Sequence, residues 1–365
     1  MNTMLCFCLR ILGLRILALR ILAVLFCGFC ASSQAEMVRG LYEGQVLVSS
    51  EDEAERLGAQ GRALRQVLGK LSGVANPGGA LVDAAVADPQ RFLQQFSYRR
   101  TDGPDASLSL WASFEASAVD ALVRDAQLPV WSAQRPSMLV WLAVASAQNI
   151  ELLAPDSVAP YEQILPAINR RAWARGIPVT YPLLDLEDRV RIQSADIWQL
   201  DRNKIMEASA RYGSGAVLVG RVEADGSGAW SARWVLFESG AESQWTTRGL
   251  SASGAVPGAV DEVADRLSAR YAVLDTGEQA NGNTITVQIV DVRTLGDYAR
   301  ALVYLQGLDQ VSALVLRAAR NNELRLSMQV RGGREGLTRV AAFSDVLRAE
   351  SIQQEDETLS FRLLP

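Results

Sequence analysis

Residues 138–144 read Met-Leu-Val-Trp-Leu-Ala-Val, an apolar run without a polar break. Such a run predicts a strand that is buried on both faces, as in a sheet that helices cover on each side. A second short run of this kind lies at Ala216–Val219. Between the two runs, the spacing of apolar residues predicts a short strand at 177–181 and a helix over 203–212. This alternation predicts a layered α/β domain over residues 136–275.

The chain before this segment predicts a small α+β domain over residues 36–133. Residues 107–114 alternate between apolar and polar side chains, which is typical of a strand with one buried face. The pair Asp88-Pro89 matches a helix N-cap followed by proline in the first turn, and it predicts a short helix through Phe96.

The chain after it predicts a third domain over residues 283–365, following a polar linker at 276–282. Its patterns run strand, helix, strand, strand, helix, strand, which is the order of the ferredoxin-like βαββαβ fold. We expect a four-stranded antiparallel sheet with two helices on one face, and we place Leu347 in the second helix. The expected inward-facing residues are Ile285, Val287, Ile289, Leu324, Leu326, Met328, Val330, Leu359, Phe361 and Leu363. The fold class is therefore α+β or α/β, with three small layered domains of which the last is ferredoxin-like.

The first 35 residues predict a secretory signal peptide. They contain three arginines and no acidic residue, then an apolar stretch from Ile21 to Ala31, and small residues before a cleavage site after Ala35. All four cysteines lie in this segment, so the mature chain has no thiol for catalysis or disulfides. The uncharged run after Arg20 is shorter than the roughly 20 residues of a spanning helix. We expect a periplasmic protein with no stable membrane span after cleavage; a retained membrane anchor is the alternative.

Composition excludes several classes of function. The 365 residues include no histidine, which excludes a Ser-His-Asp triad and any zinc site with histidine ligands. Removal of residues 1–35 changes the net charge from −5 to −8. An acidic chain without a basic stripe predicts no nucleic-acid partner, because neutralisation of phosphates supplies most of that affinity. We expect no cofactor and no metal.

Residues 182–189 read Pro-Leu-Leu-Asp-Leu-Glu-Asp-Arg and follow a predicted strand. Their three carboxylates suggest an acid and base pair of the kind that glycosidases use, or ligands for a hard cation. Carboxylates at a strand exit more often cap helices or form ion pairs with neighbouring arginines. We therefore assign no catalytic residue. The candidate binding residues are Asp185, Glu187, Asp188, Arg189, Arg211 and Tyr212.

The sequence contains two further groups of polar residues that are candidates for a binding surface. Arg171, Trp173 and Arg175 share one predicted helix, but the tryptophan faces away from the arginines, so a solvated arginine face is expected. The outward face of the last predicted sheet has no aromatic residue for stacking bases. A solvated face and a protein-docking face are both open there. The candidate docking residues are Thr284, Thr286, Gln288, Arg325, Ser327 and Gln329.

Several stretches resemble a family of secreted bacterial proteins, the domain-of-unknown-function family 2066. They are 128–131, 135–136, 139–142, 182–189, 208–213 and 219–221. The resemblance implies a secreted protein, and it implies no activity or catalytic residue. The sequence Tyr212-Gly213, followed by an apolar strand and Gly220-Arg221, also resembles α/β modules of envelope assembly proteins, namely curli-secretion, flagellar-ring and Tol-associated proteins.

Two functions remain open on these observations. The first is a non-catalytic binding or assembly module of the bacterial envelope, which has a protein partner. The alternative is a carboxylate-dependent, glycosidase-like envelope hydrolase that uses Asp185, Glu187 and Asp188. The absence of histidine and of any catalytic motif in the mature chain favours the first.

Overall fold

The computed structural model describes residues 35–100, 107–146, 149–157, 160–225, 227–274, 284–308, 310–330, 333–341, 344, 346–350 and 358–364. These residues form a mixed α+β structure with several small sheets. The predicted linker and nearly all of the predicted signal peptide lie outside the described residues. Within the described ranges, no helix is long and apolar enough to cross a membrane.

The first segment packs helices against one face of a three-stranded antiparallel sheet of order β2-β4-β3. Its elements are β1 (Ala35–Met37), β2 (Glu43–Val48), α1 (Glu53–Ser72), α2 (Ala80–Ala87), β3 (Leu93–Arg100), β4 (Leu108–Phe114), α3 (Ala116–Asp125), β5 (Pro129–Val130) and β6 (Gln134–Pro136). The predicted alternation at 107–114 is confirmed, because Leu110, Ala112 and Phe114 are buried in the core with α1.

The short helix predicted from Asp88 to Phe96 is wrong. Only Pro89–Arg91 form a single 3-10 turn, and the chain then enters β3 at Leu93. The pairing of β3 with β4 decides this, since ladder hydrogen bonds outweigh the local preference for a helix start.

The middle segment places a sheet between two layers of helices. Its elements are β7 (Met138–Ala145), β8 (Ile150–Leu152), α4 (Ile164–Arg175), β9 (Val179–Thr180), α5 (Leu186–Arg191), α6 (Ser194–Gln199), α7 (Arg202–Ser209), β10 (Ala216–Ala224), β11 (Trp230–Glu238), β12 (Ala241–Gly249), α8 (Ala252–Ala255), α9 (Pro257–Tyr271) and β13 (Val273–Leu274). The sheet order is β12-β11-β10-β7-β8, and β9 also pairs with β7. Strands β7, β9 and β10 are parallel.

The two faces of β7 belong to two different cores, as its continuous apolar sequence predicts. Val140 and Leu142 pack with α4 and α9, and we call this side the α9 face. Leu139 and Trp141 pack with α6 and α7, and we call this side the α7 face. The connection from β7 to β9 crosses the α9 face, whereas the connection from β9 to β10 crosses the α7 face. The winding direction therefore reverses at β7, as in doubly wound α/β folds.

The last segment is a five-stranded sheet of order β15-β16-β14-β18-β17. Its elements are β14 (Thr284–Val290), α10 (Leu295–Gln306), β15 (Val311–Arg320), β16 (Glu323–Val330), α11 (Gly333–Ala341), β17 (Leu347–Ala349) and β18 (Thr358–Leu363). All ten predicted inward-facing residues are buried in one core, which also includes Ala301 and Leu305 of α10 and Leu337 of α11.

The expectation of a four-stranded, fully antiparallel sheet is wrong. Strand β18 runs parallel to β14, because the additional strand β17 precedes β18 and reverses the chain direction. Leu347 accordingly belongs to β17, and the helix that was predicted to contain it ends at Ala341.

Long-range pairs join the first segment to the middle one. Strand β1 pairs with β6, and β5 pairs with β13. The Ser268 hydroxyl of α9 donates a hydrogen bond to the Gly73 carbonyl at 3.2 Å. Gly73 ends α1 with φ of 76°, and a Cβ there would lie 2.1 Å from the Ser268 Cβ. The turn and the close contact therefore both require glycine.

Candidate functional site

Five of the six candidate binding residues meet beside the α7 face, where the chain leaves β9 and enters α5. Asp185 is the N-cap of α5, and its side chain accepts a hydrogen bond from the Asp188 amide at 3.0 Å. The preceding residue, Leu184, has a positive φ of 49°. The capping preference that the sequence suggests for Asp185 is thus realised.

Asp188 is completely buried, and both of its carboxylate oxygens have partners. Its Oδ2 accepts hydrogen bonds from the Leu184 amide at 2.9 Å and from the Tyr212 hydroxyl at 2.5 Å. Its Oδ1 accepts one from Arg211 at 3.1 Å. A buried carboxylate requires such partners, because an unpaired one would cost several kcal/mol.

Arg211 joins the carboxylates into one network. Its two Nη atoms bind the two oxygens of Asp185 at 2.8 and 3.0 Å, and Nη1 lies 3.5 Å from Glu187. This fork-to-fork bond from Arg211, with the Asp188 amide, lowers the pKa of Asp185 to about 2. We call Asp185, Glu187, Asp188, Arg211 and Tyr212 the Arg211 cluster.

Tyr212 anchors the network to the core. Its ring meets Trp141 of β7 edge-on, with ring centroids 6.3 Å apart. Its hydroxyl accepts a hydrogen bond from the Leu183 amide at 2.9 Å while it donates to Asp188. Burial, followed by the bond to Asp188, raises the pKa of Tyr212 to about 12. The phenol therefore stays protonated as a donor at neutral pH.

Arg189 does not join the Arg211 cluster. Its Nε donates to the Leu184 carbonyl at 2.8 Å, and among the described residues no carboxylate lies within ion-pair distance of it. Glu187 takes part through Arg211 at 3.5 Å, and it also pairs with Arg191 one turn along α5 at 3.1 Å.

The groups of the Arg211 cluster are bound to one another in structural ion pairs and hydrogen bonds. Asp185 stays ionised down to strongly acidic pH, so it is a poor proton donor near neutrality. Asp188 has no contact with solvent and no free oxygen. Over the described part of the chain, no group of three His, Cys, Asp or Glu residues is placed to hold a metal ion.

Three exposed apolar side chains lie in the same segment of the chain as the Arg211 cluster. Leu183, Leu186 and Val190 are 65%, 80% and 78% exposed. Leu186 and Val190 are four residues apart and share one side of α5, and Leu183 lies in the segment just before the helix. Three large aliphatic side chains within eight residues is an unusual amount of apolar surface to leave in water. We call these three residues the α5 ridge.

The six candidate docking residues lie together on the outward face of the last sheet. They form three direct cross-strand pairs between β14 and β16, namely Thr284 with Gln329, Thr286 with Ser327 and Gln288 with Arg325. Ser327 is only 8% exposed, because Arg317 of β15 reaches across to its hydroxyl at 3.5 Å. The face is therefore polar and open, with Ser327 covered.

A cluster that sequence reasoning missed lies between the first and middle segments. Arg135 is fully buried over the ring of Trp131, 3.8 Å from its centroid. Its nitrogens donate to five carbonyl oxygens, including Gly176 at 2.7 Å and Lys70 at 2.6 Å. Gly176 has a positive φ of 67°, and a Cβ there would lie 2.5 Å from an Arg135 nitrogen.

Two other buried cations complete this cluster. Lys70 donates to the carbonyls of Gly40 and Glu43 at 3.1 and 2.9 Å, and its Nζ lies 3.3 Å above the centre of the Trp173 ring. Burial lowers the pKa of Lys70 from 10.5 to about 7, while nearby Glu43 opposes the shift. We call Lys70, Arg135 and Arg175 the Arg135 cluster.

The expected solvated arginine face is thus wrong for Arg175. This side chain is 3% exposed, and it binds Asp265 at 2.6 Å, Asp261 at 3.0 Å and the Gly73 carbonyl at 2.9 Å. Arginine spacing within one helix cannot reveal this, because both carboxylates come from α9, some 90 residues later in the chain.

Comparison with known families corrects the resemblance drawn from short stretches. Residues 35–132 match a family model described as a domain of unknown function (DUF8605). The resemblance to family 2066 and to envelope assembly modules is wrong, since the matching family is a different one. A search of curated proteins found no match. The matched region covers the first segment, so the Arg211 cluster and the α5 ridge lie outside it.

Proposed function

We propose that this protein is a non-catalytic binding or assembly module of the bacterial periplasm, and that the α5 ridge contacts a protein partner. The proposal rests on one observation: the apolar α5 ridge is exposed on a segment that the Arg211 cluster holds in place. The Arg211 cluster fixes residues 183–190 through a bidentate ion pair and a buried carboxylate. The three ridge side chains then stand out into solvent.

The partner's contact surface should itself be apolar. A ridge of aliphatic side chains gains affinity when it is removed from water, at about 25 cal/mol per Å² of apolar surface. The charged neighbours Glu187, Arg189 and Arg191 provide a mixed polar rim, which is typical of protein interfaces.

A double substitution tests the ridge. Leu186→Asp with Val190→Asp should abolish a chemically crosslinked complex of defined mass in intact envelopes, as measured by size-exclusion chromatography and immunoblotting. The matched control is Leu250→Asp, because Leu250 is 94% exposed and lies away from α5. Survival of the complex in the double variant, or its loss in the control, contradicts the proposal.

The hydrolase alternative has a separate test. The purified protein should release no reducing ends from envelope glycans, because its carboxylates are bound to Arg211. If glycan cleavage is found and Asp185→Asn or Asp188→Asn removes it without unfolding the chain, the binding proposal fails.

The periplasmic location rests on the predicted signal peptide. Two observations support it: the family match begins at residue 35, and β1 spans Ala35–Met37, next to the predicted cleavage site. Mass spectrometry of the protein from a periplasmic extract should find an N-terminus at Glu36. A membrane-bound product that retains Arg10–Arg20 contradicts it.

We also propose the three-domain layout, with the last domain a variant of the ferredoxin-like fold. Separate cores support it, because the buried cluster of the last segment contains only residues between 285 and 363. The order β15-β16-β14-β18 matches the split βαβ arrangement, although β18 is parallel to β14. The outward face around Gln288 and Arg325 is a second candidate protein contact.

A further inference from the structure

A cavity of about 400 Å³ lies at the edge of the middle sheet, on the α7 face beside β8. It is bordered by residues 149–152, which include β8, and by Leu184, Arg189 and residues 192–194, which follow β9. Strand β8 is the last strand on this side of the sheet, so the cavity lies between the sheet edge and the connection that crosses the α7 face.

The floor of the cavity is apolar. It is formed by Ile150, Leu152, Leu184 and Ile192, and all four pack against the core on the α7 face. A cavity with such a floor favours a ligand that carries a hydrocarbon part, because that part leaves water on binding.

The wall of the cavity carries one cation that the fold does not neutralise. Arg189 lines the cavity and its Nε is fixed by the Leu184 carbonyl. In the described structure its Nη groups have no carboxylate within ion-pair distance, whereas Arg191 and Arg211 are both paired. The Ser194 hydroxyl also lines the cavity, and it too has no hydrogen-bond partner among these residues.

One acidic residue, Glu151 of β8, also lines the cavity. It pairs across the sheet with Val144, and Val144 belongs to the core of the α9 face. Side chains alternate along a strand, so Ile150 and Leu152 lie on the opposite side of β8 from Glu151, facing the α7 face.

We propose that this cavity binds a small amphipathic anion, a carboxylate on a medium-length aliphatic chain. The carboxylate binds the Arg189 guanidinium with a charge-assisted hydrogen bond, which Ser194 supplements, and the chain lies on the apolar floor. This site is distinct from the α5 ridge, because the ridge side chains point into solvent and none of them lines the cavity.

Isothermal titration of the full mature chain with octanoate tests the proposal. We expect octanoate to bind at least about tenfold more tightly than octan-1-ol, which lacks the charge, and than acetate, which lacks the chain. Equal binding of octan-1-ol overturns the role of Arg189, and the absence of octanoate binding overturns the site.

Two variants on α5 test whether Arg189 is the residue that binds the carboxylate of octanoate. Arg189→Gln should weaken octanoate binding about tenfold to a hundredfold. Arg191→Gln is the matched control, because Arg191 lies on α5, is exposed and pairs with Glu187 outside the cavity. Equal weakening in the two variants overturns the proposal.

A second measurement does not depend on a variant folding. In methyl-labelled protein, octanoate should shift the NMR signals of Ile150, Leu152, Leu184 and Ile192. The methyl groups of Leu295, which is exposed on α10, should stay unchanged. Shifts confined to other regions of the protein overturn the site. The complex test of the α5 ridge is independent, so either proposal can fail alone.

Discussion

The Arg211 cluster and the Arg135 cluster both hold an arginine, partly buried in the first and fully buried in the second, but they bind it differently. Arg211 faces the three carboxylates of Asp185, Glu187 and Asp188. Arg135 donates to backbone carbonyls and lies over an aromatic ring. Carboxylates bind Arg211, whereas five backbone carbonyls bind Arg135.

This difference decides where each cluster responds to pH. Ion pairing lowers the pKa of Asp185 to about 2, so its stabilising effect is full above the usual carboxyl pKa and is lost as pH falls through 2. In the Arg135 cluster, burial lowers the pKa of Lys70 to about 7. The Arg135 cluster is therefore sensitive to pH near neutrality, through Lys70, and the Arg211 cluster is sensitive to pH in acid, through Asp185.

The largest expected effect concerns Arg135. Arg135→Met leaves the carbonyls of Lys70 and Gly176 buried without donors, so we expect the free energy of unfolding to fall by about 3 to 5 kcal/mol. Urea denaturation measures it, with the exposed Arg124→Met as control. A loss no greater than that of the control would show that the backbone carbonyls do not hold this cluster together.

Asp188 offers the corresponding test in the Arg211 cluster. Asp188→Asn keeps the shape but places a donor against Arg211 or Tyr212, and we expect a loss of about 2 to 3 kcal/mol in urea denaturation. The control is Asp83→Asn, since Asp83 forms a surface pair with Arg65 and should matter little. If Asp188→Asn lowers the free energy of unfolding as little as the control does, the Arg211 cluster does not stabilise this segment.

The pH dependence of stability separates the clusters further. Between pH 7 and 9.5 the folded chain has lost the Lys70 proton, while the unfolded chain retains it. Unfolding therefore takes up a proton, and Lys70 adds a rise of at most about 1.4 kcal/mol per pH unit.

Lys70→Met should abolish that rise when urea denaturation is repeated across this pH range. Lys204→Met is the control, because its ion pair with Asp196 raises the pKa of Lys204, so this lysine stays protonated in both states. An identical slope in wild type and Lys70→Met would contradict the assignment.

The smallest effect is expected at Glu187. Its side chain is 48% exposed and lies 3.5 Å from Arg211, so Glu187→Gln should lower the free energy of unfolding by less than about 1 kcal/mol. A loss similar to that of Asp188→Asn would mean that the exposed carboxylate stabilises the cluster as much as the buried one. That result would contradict the expected difference between buried and exposed carboxylates.

Sequence patterns predict the parts of this fold that depend on burial alone. The continuous run at 138–144 and the alternation around Leu326 both lead to the observed strands, because each side chain reports the face on which it lies. Strand β17 is missed because three residues carry no usable period, and its presence turns β18 parallel to β14.

The candidate site is predicted only in part, because the partners of its residues are distant in the sequence. The acidic segment at 185–188 is visible in the sequence, but its partner Arg211 lies 26 residues later. Arg135 is harder still, since its partners are carbonyl oxygens, which every residue possesses. The cavity beside Arg189 depends on how the segment after β9 packs beside the edge strand β8, which no local motif reveals.

The pairing of β5 with β13 has a consequence for the order in which the chain folds. Val130 finds its partner only when Val273 arrives, and Gly73 receives its bond from Ser268, 195 residues later in the chain. A chain synthesised from its N-terminus therefore cannot complete its first segment until most of it has emerged. High contact order of this kind slows folding. Late closure of this kind keeps the chain extended for longer before its first segment is complete.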